Sequence, residues 1–305
     1  MQINIAFCSS DAFSQHCGVT LASVLKNSSP KDDYKIFIIN KSYSDENKAK
    51  FEELKKIRDF DLEFIQIDDR PLKKIKYDKN VPIESLYRFF LFSFEQVDKL
   101  LYLDCDIVVR KDIAELFSID IEDYCLAGVE DISSWFSKGN CKLSDLSTYV
   151  NAGILLINLK KTREFDHFDF LRNLPKDLSD KGYSDQDIIN YIYQEKILPI
   201  DIKYNFIYPY KNSYIDQDYY HRLAADPNNV HYITNDKPWV PEFSPYRKEE
   251  YFKYLKLTPW YDEFMEMYSI EESTAIIRKV NDMSCRLDEI SNMLNDVLNR
   301  FNRRM

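Results

Sequence analysis

Asp104-Cys105-Asp106 closes the apolar run Leu101-Tyr102-Leu103, and a second apolar triplet, Ile107-Val108-Val109, follows it. Carboxylates at i and i+2 of an extended chain share a face, so both can reach one cation. Two like charges so close are costly unless a cation or another partner compensates them. Oxygen donors with coordination positions left open suit Mg²⁺ or Mn²⁺ holding a diphosphate, the metal acting as Lewis acid for a departing phosphate. A D-x-D triplet also arises by chance at a solvated strand end, so it needs company. His231-Tyr232-Ile233-Thr234-Asn235-Asp236-Lys237-Pro238-Trp239 supplies an imidazole and, six residues on, a lysine. A neutral imidazole completes a mixed oxygen and nitrogen shell, and a lysine neutralises phosphate as a point charge. Together these four residues propose a diphosphate clamp.

Such a clamp needs a scaffold that brings distant segments together. Ile3, Ile5 and Phe7 alternate as one face of a strand, and Tyr34–Ile39, Leu62–Ile67, Lys99–Leu103 and 149–159 read as further strands. Helical patterns fall at 17–27, Glu46–Arg58, Ser85–Phe94 and Asp185–Ile192. Strands alternating with helices, and apolar on both faces, argue for an α/β fold with a mostly parallel sheet. In such sheets ligands collect beyond the carboxyl ends of the strands, which is where Asp104 falls. From about 195 to 260 the chain is rich in Tyr, Pro, Asn and Asp, which predicts irregular structure wrapped over a site.

The division expected is a catalytic domain over 1–265 and a helical tail over 270–305. In that tail Ile276, Val280, Met283, Leu287, Ile290, Leu294, Val297 and Phe301 recur at alternating steps of four and three. That is a coiled-coil seam, and it predicts a homo-oligomer through 276–301, tetramer ahead of dimer. The competing readings are a helix packed on its own domain, with a wider stripe, and a helix lying on a membrane.

Composition removes several classes. Five glycines in 305 residues never fall into G-x-G-x-x-G or G-x-x-x-x-G-K-[ST], so any phosphate is held without a glycine cradle. A net charge of −10 lacks the basic footprint that nucleic acid requires. Six cysteines without a C-x-x-C pair argue against a zinc ribbon or a thioredoxin-type site. The opening MQINIAFCSS has no secretory pattern, and no apolar run approaches the length of a bilayer span. Cytoplasmic residence is expected, with peripheral contact at the inner face of the plasma membrane left open.

The ordered motifs Leu86-Tyr87-Arg88, DKLLYLDCDIVV (98–109), Tyr149-Val150-Asn151-Ala152-Gly153-Ile154, Ser184-Asp185-Gln186-Asp187-Ile188-Ile189-Asn190 and His231…Lys237-Pro238-Trp239 resemble glycosyltransferase family 8. The likeness runs from residue 3 to about 240. It implies the GT-A fold, Rossmann-like, with a mixed and mostly parallel sheet flanked by helices. It also implies a metal-dependent, retaining hexosyltransferase using UDP-glucose or UDP-galactose and a glycan or glycolipid acceptor. Asp104, Asp106 and His231 would bind Mn²⁺, or Mg²⁺ in its place, and Lys237 would contact phosphate. Arg88, Asn151, Ala152, Asp185 and Gln186 would line the sugar pocket, with Gln186 near the anomeric carbon. Asp185, Gln186 and Asp187 are the catalytic candidates, Asp187 with an alternative role at a helix start. Phe7, Ser10, Asp11, Cys105 and Thr234 complete the substrate-binding set, whereas Tyr87, Tyr149 and Trp239 read as packing. Ser10 and Ala12 stand where the family carries an acid and an asparagine, and Thr234 where it carries glycine. These departures motivate one rival, a non-catalytic binding protein; the other, a nucleotide-sugar phosphohydrolase, would need the same metal clamp with an ordered water instead of an acceptor.

Overall fold

The computed structural model describes residues 1–75, 82–131, 148–174, 184–208, 216–233 and 235–302. Its strands are Gln2–Cys8 (β1), Asp33–Asn40 (β2), Asp61–Gln66 (β3), Lys99–Leu103 (β4), Ile107–Val109 (β5), Leu126–Glu130 (β6), Val150–Asn158 (β7), Ile197–Ile200 (β8) and Asn229–His231 (β9). Seven of them form one sheet in the order β3-β2-β1-β4-β7-β6-β8, and β5 pairs with β9 in a separate ribbon. β3, β2, β1 and β4 run parallel, β7 is antiparallel to both β4 and β6, and β8 is parallel to β6. The mostly parallel sheet is what the pattern predicts, and its mixed character, with helices on both sides, is what the family resemblance implies.

The central strands β4 and β7 are largely apolar because both faces are covered. Ile3, Ile5, Phe7, Leu101 and Leu103 point into one core, shared with Leu21 and Leu25 of helix Ser14–Asn27. Ala6, Leu100 and Tyr102 point into the other, against Phe89, Phe92, Ile188 and Ile189. Burying a side chain of this size stabilises by about 1.5–3 kcal/mol. Neither layer can therefore be dispensed with.

Two expectations need correction. β5, β6, β8 and β9 were not legible as strands, because three to five residues carry too little alternation to register. The stretch 195–260 is also more regular than its composition suggests. It holds β8, β9 and helices Gln217–Ala225 and Lys248–Leu255. Its aromatic residues build a small core of their own, with Val230, Tyr232, Tyr251 and Tyr254 against Val19 and Val108.

A single helix, Tyr261–Asn302, follows the buried Trp260 and runs unbroken through the division expected at 265–270. Its Tyr268 and Ala275 are buried, and Tyr268 packs edge-on against Phe252. Beyond them Ile276, Ile277, Val280, Met283 and Leu287 stand 57–65% exposed. Among the described residues no helix is long and apolar enough to cross a membrane.

Candidate active site

β1 leads to β2 on one side while β4 lies on its other side, so the carboxyl end of β4 is a topological switch point. The Asp104 N–H still donates to the Gly153 carbonyl of β7, at 2.8 Å, which fixes where its side chain starts. Three residues on, β5 pairs antiparallel with β9, with Ile107 opposite His231. The Tyr232 N–H donates to the Asp106 carbonyl at 3.0 Å. A sequence gap of more than a hundred residues closes through that short ribbon. Asp104, Asp106 and His231 thereby place one ligand atom each within 4.8 Å of one another.

Three features fit this cluster to a divalent cation. The donor set of two carboxylates and one imidazole suits Mn²⁺ or Mg²⁺, the nitrogen favouring the transition metal. Asp106 Oδ1 is buried without a hydrogen-bond partner, and His231 Nε2 stands 3.3 Å from it. Gly153 forms the floor: a Cβ there would lie 2.3 Å from His231 Cε1 and 3.0 Å from Asp104 Oδ2. Only a residue without a side chain leaves the space open.

The remaining oxygens are held by neighbours. Asp104 Oδ1 accepts from Tyr102 Oη at 2.5 Å and from Arg88 Nη2 at 3.0 Å. Asp106 Oδ2 takes the Lys237 ammonium at 2.6 Å. Arg88 is buried, with its guanidinium over the Tyr102 ring. Its other contacts are Ala152 O at 2.7 Å and Asp185 Oδ2 at 3.0 Å. Burial pushes the Asp185 carboxyl up, and Arg88 opposes that shift. The guanidinium fork expected to face a sugar is thus engaged with protein groups, tying β4 to the helix Asp185–Tyr193.

Next to the cluster opens a cavity of about 510 Å³, lined by Ser10, Phe13, Arg88, Asp104, Cys105, Asp106, Lys237 and Trp239 among others. Trp239, expected as packing, is one wall of it. It stacks on His16 at 3.8 Å between ring centroids and meets Phe13 edge-on. Beside the Asp104, Asp106 and His231 cluster lies a second polar layer. Gln186 Oε1 accepts from the Ala152 N–H and from Asn151 Nδ2, both at 3.1 Å, while its Nε2 donates to Asp131 at 2.8 Å.

Not every expected residue converges here. Phe7 is fully buried in the core. Asp11 Oδ1 accepts from Ser44 N, Ser44 Oγ and Asn47 Nδ2, so it organises the start of helix Asp45–Glu53 rather than the cavity. Both oxygens of Asp187 are occupied: Oδ2 by Ser184 in a capping box, Oδ1 by Tyr149 Oη at 2.6 Å. That is the helix-start role. Thr234 lies outside the described residues. Gly153 and Asn205 are residues that motif reading left without a role. Gly153 carried a signal, as a glycine inside a buried apolar strand; Asn205 carried none.

The family model described as "Glycosyl transferase family 8" matches residues 4–242 of this chain. General stress protein A of Bacillus subtilis is 25% identical over 271 residues, which cover 85% of this chain and 94% of that one. A lipopolysaccharide 1,2-glucosyltransferase of Escherichia coli is 32% identical over 208 residues, 64% of this chain and 60% of that protein. Among solved structures, that of galactosyltransferase LgtC with donor and acceptor sugar analogues superposes with a TM-score of 0.71. It is 23% identical and the match covers 84% of this chain and 96% of that one, a likeness of fold.

Proposed function

Because this chain belongs to glycosyl transferase family 8, we propose that it moves a hexose from UDP-glucose or UDP-galactose to a hydroxyl of a glycan or glycolipid. The observation that carries this reading is the Asp104, Asp106 and His231 cluster, converging over Gly153 at the mouth of a cavity walled by Trp239. Asp104, Asp106 and His231 would hold a divalent cation, Mn²⁺ before Mg²⁺, which would supply Lewis-acid neutralisation of the departing diphosphate. The hexose class is supported by the relatives, a glucosyltransferase and a galactosyltransferase by name.

The chain's own groups divide the remaining work. Lys237 exchanges its contact with Asp106 for a phosphate oxygen when donor binds, a short move for a flexible ammonium. Ser10 and Phe13 line the same cavity and would meet the nucleoside there. Gln186 would lie near the anomeric carbon, as the family resemblance implies, and its amide oxygen already accepts two hydrogen bonds. An oxygen so engaged, on a weakly basic amide, is a poor nucleophile. Retention then proceeds on the front face: the acceptor oxygen bonds to the anomeric carbon as the bond to phosphate breaks. The hydroxyl proton passes to the departing phosphate oxygen, through an oxocarbenium-like transition state. A covalent sugar on Gln186 or Asp187, seen by mass spectrometry, overturns this path.

The test is a donor panel with Mn²⁺, scored by UDP release with and without sugar acceptors. Release that needs both the cation and an acceptor supports transfer. UMP and hexose 1-phosphate formed without acceptor make the protein a phosphohydrolase, free hexose with UDP at the same rate without acceptor means that water is the acceptor, and no turnover makes it a binding protein. The division into a catalytic unit over 1–265 and a tail over 270–305 belongs to the same reading. The tail's exposed seam pairs with further copies of this chain. Its mixed polar face, with Asp282, Asp288, Glu289 and Asp296 among Arg278, Lys279 and Arg286, suits anionic lipid poorly.

A further inference from the structure

Asn205 lies in none of the motifs, and at 1% exposure it is closed off from solvent. Its place in the polar layer can be worked out from one fixed point, the Gly153 backbone N–H. That N–H donates to the Asn151 side chain at 3.0 Å, so the atom it meets must be the amide oxygen, Oδ1. The same oxygen is met by Asn205 at 2.8 Å, which requires Asn205 to turn its NH₂ toward it. The Asn205 oxygen is then left facing His231 Nδ1 at 2.9 Å. An acceptor there demands a proton on Nδ1. In the neutral ring Nε2 consequently carries only its lone pair, aimed at Asp106 Oδ1 across 3.3 Å. Two electron-rich atoms facing each other in a buried site have no mutual hydrogen bond, and Asp106 Oδ1 indeed has none. Asn151 is held by a second anchor, since its NH₂ donates to Gln186 Oε1, itself pinned by the Ala152 N–H.

We propose that Asn205 is a positioning residue that locks neutral His231 in the Nδ1–H tautomer, with Asn151 and the Gly153 N–H as its reference. The lock delivers the Nε2 lone pair to the cation cluster and keeps it there before any cation arrives. Without it the ring divides between two tautomers, one of which turns an N–H on the site. Outer partners of ligating histidines commonly do this work, and losing them costs about 10–100-fold in metal affinity. The inference rests on the reading of Asp104, Asp106 and His231 as a cation site.

The test separates the two. The full-length protein is labelled with ¹⁵N-histidine and recorded metal-free at pH 8, with His231 assigned by the loss of its signals in His231→Gln. The chain has four histidines, few enough to resolve. Mn²⁺ binding is then followed by electron paramagnetic resonance with MnCl₂ alone. The expected results are an Nδ1–H ring in the wild type, a tautomer mixture in Asn205→Ala, and Mn²⁺ affinity lowered at least tenfold in that variant. Asn205→Asp conserves the shape and offers a carboxylate oxygen to Nδ1, so it retains the Nδ1–H ring and covers an alanine variant that fails to fold. A wild-type ring protonated on Nε2 overturns the proposal. So does Asn205→Ala with wild-type tautomer and affinity, or Asn205→Asp without the Nδ1–H ring. Should the tautomers behave as expected while no form binds Mn²⁺, the lock stands and the cation reading fails.

Discussion

Asp104 and Asp106 are two residues apart and do different work, because their neighbours differ. Asp104 is anchored by Tyr102 and Arg88, whereas Asp106 keeps one oxygen on Lys237 and one without a hydrogen bond. The spacing and the distant histidine were legible as a site because cation chemistry restricts which residue types can serve. Asn205 was not legible, since an asparagine gains its role only from the geometry that packs it between Asn151 and His231. A buried histidine elsewhere gives a separate prediction. His167 stacks on Phe92 and shares a hydrogen bond with Tyr193 Oη, with no partner for Nδ1. Burial pushes it down from the ordinary 6.5 to about 4. Between those values the unfolded chain binds a proton that the folded chain does not. The stability this group permits is therefore full above pH 6.5 and is lost as pH falls toward 4, by on the order of 3 kcal/mol. Denaturant titrations across that range should show the loss in wild type and a shallower slope in His167→Phe. An unchanged slope in the variant would assign acid sensitivity to other groups.

At the scale of elements, the start of β7 decides the site. It supplies the Gly153 carbonyl that registers Asp104, the Gly153 N–H that orients Asn151, and a position without a side chain that lets His231 pack close. Gly153→Ala places a methyl where the imidazole and the Asp104 carboxylate already stand. Overpacking of this kind costs about 1–3 kcal/mol. The variant should lose at least tenfold in Mn²⁺ affinity, by calorimetry, together with a drop in denaturation midpoint. Wild-type affinity would show that the ring can step aside freely. β4 and β7 were legible because burial on both faces forces a continuous apolar run. The ribbon of β5 and β9 was not, for it is short and formed by residues more than a hundred apart. Yet it brings Asp106 to His231, so the least legible element assembles the site.

For the whole molecule, the catalytic fold and the tail make separable claims. The last helix packs on the body through Tyr268 and Ala275, then presents Ile276, Val280, Met283 and Leu287 to solvent. Four such residues at seam spacing are an unfavourable exposure for an isolated chain. A chain ending after Ala275 should sediment as a monomer and retain sugar transfer, while the full chain sediments as a dimer or tetramer. An oligomer that survives the truncation would place the interface on the body. Central to the proposed function is the dependence of hexose transfer on a cation held by the three converging side chains. The most direct measurement is acceptor-dependent UDP release from UDP-glucose and UDP-galactose by chelator-treated protein, with MnCl₂ added back in steps, for wild type and Asp106→Ala. Wild-type activity should fall below detection after chelation and return with Mn²⁺. Asp106→Ala should remain about a thousandfold slower, as expected when several kcal/mol of transition-state charge stabilisation are lost. Full turnover by the chelated wild type, or wild-type rates in Asp106→Ala, would contradict it.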